Sequence, residues 1–119
     1  MTPAVIDLAA IANFKAVVGD DPELLAEFVG VFVRSVPKHV AAMREASAAR
    51  DLASLRIAAH SCKSNSRDMG ATILSELCAT LEGQSRDGTV DDPEAQISRI
   101  EVEGNRAIEA LTGLDFSNV

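Results

Sequence analysis

One histidine carries the chemistry this chain can do. His60 sits in the run Arg56-Ile57-Ala58-Ala59-His60-Ser61-Cys62-Lys63-Ser64-Asn65-Ser66-Arg67. At about 100° per residue, Leu55, Ala58, Cys62, Asn65 and Met69 share one side of a helix, and His60 lies nearly opposite. Around it fall Ala53, Arg56, Lys63, Ser64, Arg67 and Ala71, so three cations and several small side chains surround one exposed imidazole. That pattern suits an anion. A neutral imidazole keeps a lone pair on one nitrogen for attack on phosphorus, and the cations would stabilise phosphoryl oxygens. A surface histidine among solvated charges satisfies the same spacing, which by itself is a weak signal.

The elements that must hold this helix follow from the rest of the pattern. Ile6 to Val18 reads as a short amphipathic helix with Leu8, Ile11 and Ala12 on one side, ending at Gly19 and lidding the bundle. Asp20-Asp21-Pro22-Glu23 starts a long helix whose stripe is Leu25, Phe28, Val29, Phe32, Val36, Val40 and Met43. Leu24 and Val31 lie off that stripe, and Pro37 should kink the helix. Asp51 caps the His60 helix, Leu52 to about Met69, which stops or bends at Gly70. Ile73, Leu74, Leu77, Cys78 and Leu81 form the inner face of the next helix, closed by a turn at Gln84-Ser85-Arg86-Asp87-Gly88. Asp91-Asp92-Pro93-Glu94 begins the last helix, striped by Ile97, Ile100, Gly104, Ile108 and Leu111, and the tail 112–119 is expected to be loose.

The fold expected is all-α: an antiparallel up-down-up-down four-helix bundle with a short extra N-terminal helix, one domain over 1–119. Composition agrees, with 47% hydrophobic residues and neither Trp nor Tyr. A net charge of −7 repels phosphate backbones, which argues against a nucleic-acid partner. The first twenty residues lack a signal-peptide pattern, and no apolar run reaches the roughly 18 residues of a membrane span. The two cysteines, Cys62 and Cys78, make no disulfide framework. A cytoplasmic protein with reduced thiols and no membrane contact is the resulting expectation.

Other residues suggest less. His39 follows Pro37-Lys38 off the core stripe and reads as a surface residue. Cys62 and Cys78 could approach across adjacent helices, but without CxxC spacing they read as buried thiols rather than metal ligands. Acid pairs are explained by helix starts. No P-loop, Gly-rich nucleotide loop or Ser-His-Asp grouping supports ATP use or hydrolysis.

The run His60-Ser61-Cys62-Lys63-Ser64-Asn65-Ser66-Arg67-Asp68-Met69-Gly70-Ala71, followed by Leu74, Leu77-Cys78 and Leu81-Glu82, resembles the signature of histidine-containing phosphotransfer (HPt) domains. The Asp-Pro-Glu start and Pro37 are similar to that family too. The resemblance implies a bundle whose exposed His60 takes a phosphoryl group from one receiver-domain aspartate and passes it to another. Such a protein is a phosphocarrier in a multistep two-component phosphorelay, without autokinase activity and not an enzyme in its own right.

By that resemblance Lys63 contacts the phosphoryl oxygens and Glu82 hydrogen-bonds and orients the imidazole. Accepting from one ring N–H fixes the tautomer and frees the other nitrogen. Arg56, Ser64, Arg67 and Arg86 would add secondary stabilisation, and Ala53, Ile57, Ser64 and Ala71 would form the docking surface.

The implied partners are receiver domains of response regulators or hybrid histidine kinases, met by a monomer. No intrinsic cofactor or metal is expected, the Mg²⁺ needed for transfer coming with the receiver's acidic site. The sequence departs from the family pattern at Ser64, where glycine is usual, and at Cys62, where Leu is common. A non-catalytic docking module that binds a receiver or kinase without accepting phosphate is the alternative, and a plain structural bundle is a third.

Overall fold

The computed structural model describes residues 4–119 and contains five α-helices followed by a short 3₁₀ turn. They are α1 (Leu8–Val17), α2 (Pro22–Ala48), α3 (Leu52–Asp68), α4 (Thr72–Asp87) and α5 (Pro93–Thr112), with the turn at Phe116–Asn118. Aspartates begin most of them. Asp7, Asp21, Asp51 and Asp92 each accept a hydrogen bond from a backbone N–H of the first turn, and Pro22 and Pro93 occupy the first helical position.

Helices α2 to α5 form a ring in which each packs on its two neighbours, α2 closing against α5. Pairing across the ring runs antiparallel. His39 of α2 meets Asn65 of α3 near one end, while Asp51 N donates to Ala46 O at the other. On α3 and α4, Ala71 N donates to Ser66 O beside the turn and His60 faces Glu82 farther along. The core between the four helices takes Leu25, Val29, Phe32, Val36, Val40 and Met43 from α2, Leu55 and Cys62 from α3, Leu74, Cys78 and Leu81 from α4, and Ile97, Ile100 and Leu111 from α5. At Gly104 a Cβ would stand 2.8 Å from Val36 Cγ1, so the missing side chain is what lets α5 approach α2.

α1 is joined to the end of the His60 helix through Gly70. Its φ is +71°, Asp7 N donates to Gly70 O at 2.8 Å, and a Cβ there would lie 2.6 Å from Asp7 O. Only glycine meets both demands.

Several expectations need correction. In α1, Leu8 and Ala12 are exposed, and the inward face is Ile11 with the aliphatic stem of Lys15. Phe28 is 41% exposed and packs edge-on against Phe14 of α1, centroids 5.1 Å apart, instead of entering the core. Residues 84–87 continue α4, with Ser85 buried and donating to Leu81 O, and the break comes at Gly88 with φ +87°. The tail is packed: Leu114, Phe116 and Val119 rest on the core, and Lys15 Nζ donates to Val119 O at 3.2 Å. His39 is half-buried and accepts at Nε2 from Asn65 Nδ2, 3.1 Å, and burial pulls its pKa below the ordinary 6.5. Pro37 lies inside α2, as expected, and the helix continues on both sides of it.

Candidate functional site

The local sequence fixes where His60 points. Asp51 accepts from both the backbone N and the hydroxyl of Ser54, which sets the start of α3. Leu55, Ala58, Ala59, Cys62 and Ser66 turn inward, so His60 is carried outward with its side chain 58% exposed. Ser66 satisfies its buried hydroxyl on Cys62 O at 2.6 Å, leaving the inner face of α3 without an orphaned donor. α4 lies along α3 with Leu74, Cys78 and Leu81 in the core, and Glu82, next after Leu81, reaches across to α3.

There the carboxylate is divided between two partners. His60 Nδ1 lies 2.5 Å from Glu82 Oε2, and Lys63 Nζ donates to Glu82 Oε1. The Glu82 side chain is 15% exposed and that of Lys63 22%. Those hydrogen bonds, Lys63's first and His60's after it, hold the Glu82 carboxyl below its ordinary 4.5, so it is ionised near neutrality. An ionised carboxylate can only accept. Nδ1 therefore carries the ring proton, and the lone pair of the neutral imidazole resides on Nε2, for which no partner is recorded among the described residues. α4 grips this turn of α3 a second time where Ser75 Oγ donates to Lys63 O at 3.4 Å.

Most of the expected surroundings are in place. Arg56 and Arg67 are exposed on the His60 helix, and neither has an ion pair recorded among the described residues. Ala53 is exposed, Ser64 is half-buried, and Ile57 is 61% exposed one turn before His60. Arg86, one turn beyond Glu82, makes its ion pair with its neighbour Asp87 at 3.5 Å and none with the His60 cluster.

Ala71 is the clear error. It is 1% exposed, in the core at the start of α4, and so is no part of a docking surface. Sequence reasoning also missed that Lys63 and Glu82 contact each other. The register of two antiparallel helices joined at Met69–Ala71 would have revealed it.

The cysteines resolve simply. Cys62 and Cys78 are free and buried, and the neighbouring Cys62 thiol together with burial pushes the Cys78 thiol up. Among the described residues no group of three or more His, Cys, Asp or Glu side chains is placed to hold a metal ion, and no helix is long and apolar enough to cross a membrane.

A helical bundle that exposes one carboxylate-oriented imidazole on a basic helix face is a scaffold for a nucleophilic histidine. Comparison with known proteins agrees: the Hpt domain family model matches residues 27–113, and the chain belongs to that family of histidine phosphotransfer domains. Its fold is similar to the crystal structure of histidine-containing phosphotransfer protein B (HptB) from Pseudomonas aeruginosa PAO1, at 26% identity and a TM-score of 0.83, covering 93% of this chain and 94% of that one. No curated protein sequence matches significantly.

Proposed function

We propose that His60 is the phosphoacceptor of a phosphorelay, taking a phosphoryl group from a receiver-domain aspartate and delivering it to another. Nε2 attacks phosphorus as the bond to the aspartyl oxygen breaks, and the aspartate leaves as a carboxylate. Delivery reverses the same exchange. Glu82 keeps the proton on Nδ1 throughout, and Lys63, one helical turn from His60, supplies positive charge toward the phosphoryl oxygens. Arg56 and Arg67 add positive potential, with Arg86 more remote, and the Ser64 hydroxyl is a further donor.

What supports this reading is the His60 Nδ1 to Glu82 Oε2 contact of 2.5 Å: with the proton held on Nδ1, the lone pair for attack is on Nε2. Mg²⁺ comes with the receiver, and the chain acts as a carrier with no autokinase activity. Receivers dock over Ala53, Ile57 and Ser64, where small side chains flank an exposed isoleucine beside His60. The working form is a monomer in the cytoplasm. Incubation with a phosphorylated receiver domain and Mg²⁺ should label the protein, and the His60→Gln variant should stay unlabelled while keeping its helical signal. Equal labelling of that variant would remove His60 from the mechanism.

A further inference from the structure

The sequence of α1, Leu8-Ala9-Ala10-Ile11-Ala12-Asn13-Phe14-Lys15-Ala16-Val17, is apolar nearly all round, a composition that ordinarily belongs to a buried helix. Only part of it is buried. Ile11 and Lys15 face inward where α1 packs on α2 and α3, and Phe14 turns to Phe28 of α2. Leu8, Ala9, Ala12, Asn13, Ala16 and Val17 are exposed, and of these Asn13 alone is polar, whereas each of α2 to α5 exposes charged side chains. At about 100° per residue, Leu8, Ala9, Ala12 and Ala16 lie on the side of α1 turned away from Phe14.

Two grooves open on that side. One, of about 470 Å³, lies between Leu8, Ala9 and Ala12 and the packed tail at Leu114 and Val119. The other, of about 590 Å³, runs from Leu8 and Ala9 to Ile6 and to Ile73 of α4. Their shared ridge is Leu8, 57% exposed. Their rims are acidic: Asp7 and Glu76 flank one and Asp115 the other, and no Lys or Arg lines either. Lys15, the one cation of α1, is buried and donates to Val119 O. The His60 helix has the opposite sign, with Arg56, Lys63 and Arg67.

We propose that the face of α1 carrying Leu8, Ala9 and Ala12 is a second docking surface, separate from the receiver face, and that its occupant is a basic amphipathic helix of another protein. Acidic rims beside an apolar floor attract Lys and Arg and repel anionic lipid and nucleic acid. A second copy of the chain would bring the same acidic rims against one another across a two-fold axis. An extended segment has no open backbone to pair with, because α1 uses its own within the helix. The ligand must therefore enter through side chains, as a helix does with apolar residues at i, i+3, i+4 and i+7. Ala9 and Ala12 are small enough for its backbone to come close. This surface needs no phosphoryl chemistry, so the inference goes beyond the relay and does not depend on it.

The test uses the whole protein and a synthetic peptide of leucine and lysine, with leucines at i, i+3, i+4 and i+7, beside a scrambled peptide of the same composition. Fluorescence anisotropy should show the patterned peptide binding more tightly than the scrambled one. Its amide NMR shifts should fall on Leu8, Ala12 and Leu114 and spare Ile57 and Ser64. Ala12→Glu makes the chain more acidic, so it strengthens any attraction that is only electrostatic. A charge placed in the apolar groove should instead weaken docking by at least about tenfold. Because residue 12 is exposed, the variant should keep the wild-type circular dichroism. Failure of the patterned peptide to outbind the scrambled one, unchanged or tighter binding to Ala12→Glu, or shifts centred on Ile57 would overturn the proposal. So would a wild type that sediments as a dimer and becomes monomeric as Ala12→Glu, since a second copy would then be the occupant.

Discussion

Replacing Gly104 by alanine should destabilise the bundle, although alanine is the better helix former. Its Cβ would be placed 2.8 Å from Val36 Cγ1 and 3.9 Å from Leu74 Cδ2. Val36 is buried and β-branched, with one strongly preferred rotamer in a helix, so it has little room to withdraw. Overpacking of this kind costs about 1–3 kcal/mol, and the upper part of that range applies where the neighbour is fixed. Better helix propensity offsets about 1 kcal/mol. A net loss of about 1–2 kcal/mol remains, lowering Tm by roughly 4–8 °C for a chain of this size.

Gly83→Ala is the control. There the nearest atom is Arg86 Nη2 at 3.6 Å, an ordinary contact with the end of a flexible exposed side chain. The propensity gain of up to about 1 kcal/mol should therefore appear intact and raise Tm by a few degrees. Thermal and urea unfolding followed by circular dichroism measure both. A Tm for Gly104→Ala equal to or above wild type would refute the close approach of α5 to α2.

Other outcomes follow from individual residues. Because burial lowers the folded-state pKa of His39 below 6.5, the unfolded chain binds the proton first as pH falls. Wild-type stability should therefore decline as pH drops below 6.5, and His39→Gln should flatten that decline in urea titrations made above and below this pH. Ile57→Asp should weaken receiver binding in calorimetry while leaving Tm nearly unchanged, because the side chain is 61% exposed. Ala71→Leu should do the opposite, costing about 1–3 kcal/mol by overpacking the core with no direct effect on docking. Ser64→Gly removes one donor, so stopped-flow transfer should slow by at most about tenfold, the equivalent of one ordinary hydrogen bond. A faster Ser64→Gly would mean that the hydroxyl obstructs the receiver.

The His60 helix was legible because its polarity is strongly segregated and Asp51 and Gly70 mark its limits. Cap chemistry likewise located the starts of α2 and α5. The Ala71 error comes from using helical periodicity beyond the helix it belongs to. Ala71 falls on the His60 side only if α3 continues past Gly70. With φ of +71° at Gly70 the chain reverses, and Ala71 turns inward.

Phe28 fits the apolar stripe of α2, but α1 offers Phe14 as its partner, a tertiary contact that spacing within one helix does not encode. At 84–87 polar composition suggested a turn, yet Ser85 satisfies its hydroxyl on Leu81 O and the helix continues to the glycine. The tail reads as loose from its sequence alone, because its docking depends on three scattered apolar residues and on Lys15, far away in sequence. At the site, residue types suggested Lys63 and Glu82 separately. Their mutual contact needed the antiparallel register of α3 and α4.

The central claim is that His60 carries the phosphoryl group, and labelling tests it most directly. The protein and its His60→Gln variant are each incubated with a phosphorylated receiver domain and Mg²⁺, and the label is tested for acid lability and alkali stability. Acid-labile, alkali-stable label on the wild type alone is the predicted result. A folded wild type that binds several competent receivers yet takes no label from any of them would contradict the account, and would mark the chain as a docking module in which Ser64 is the first residue to change.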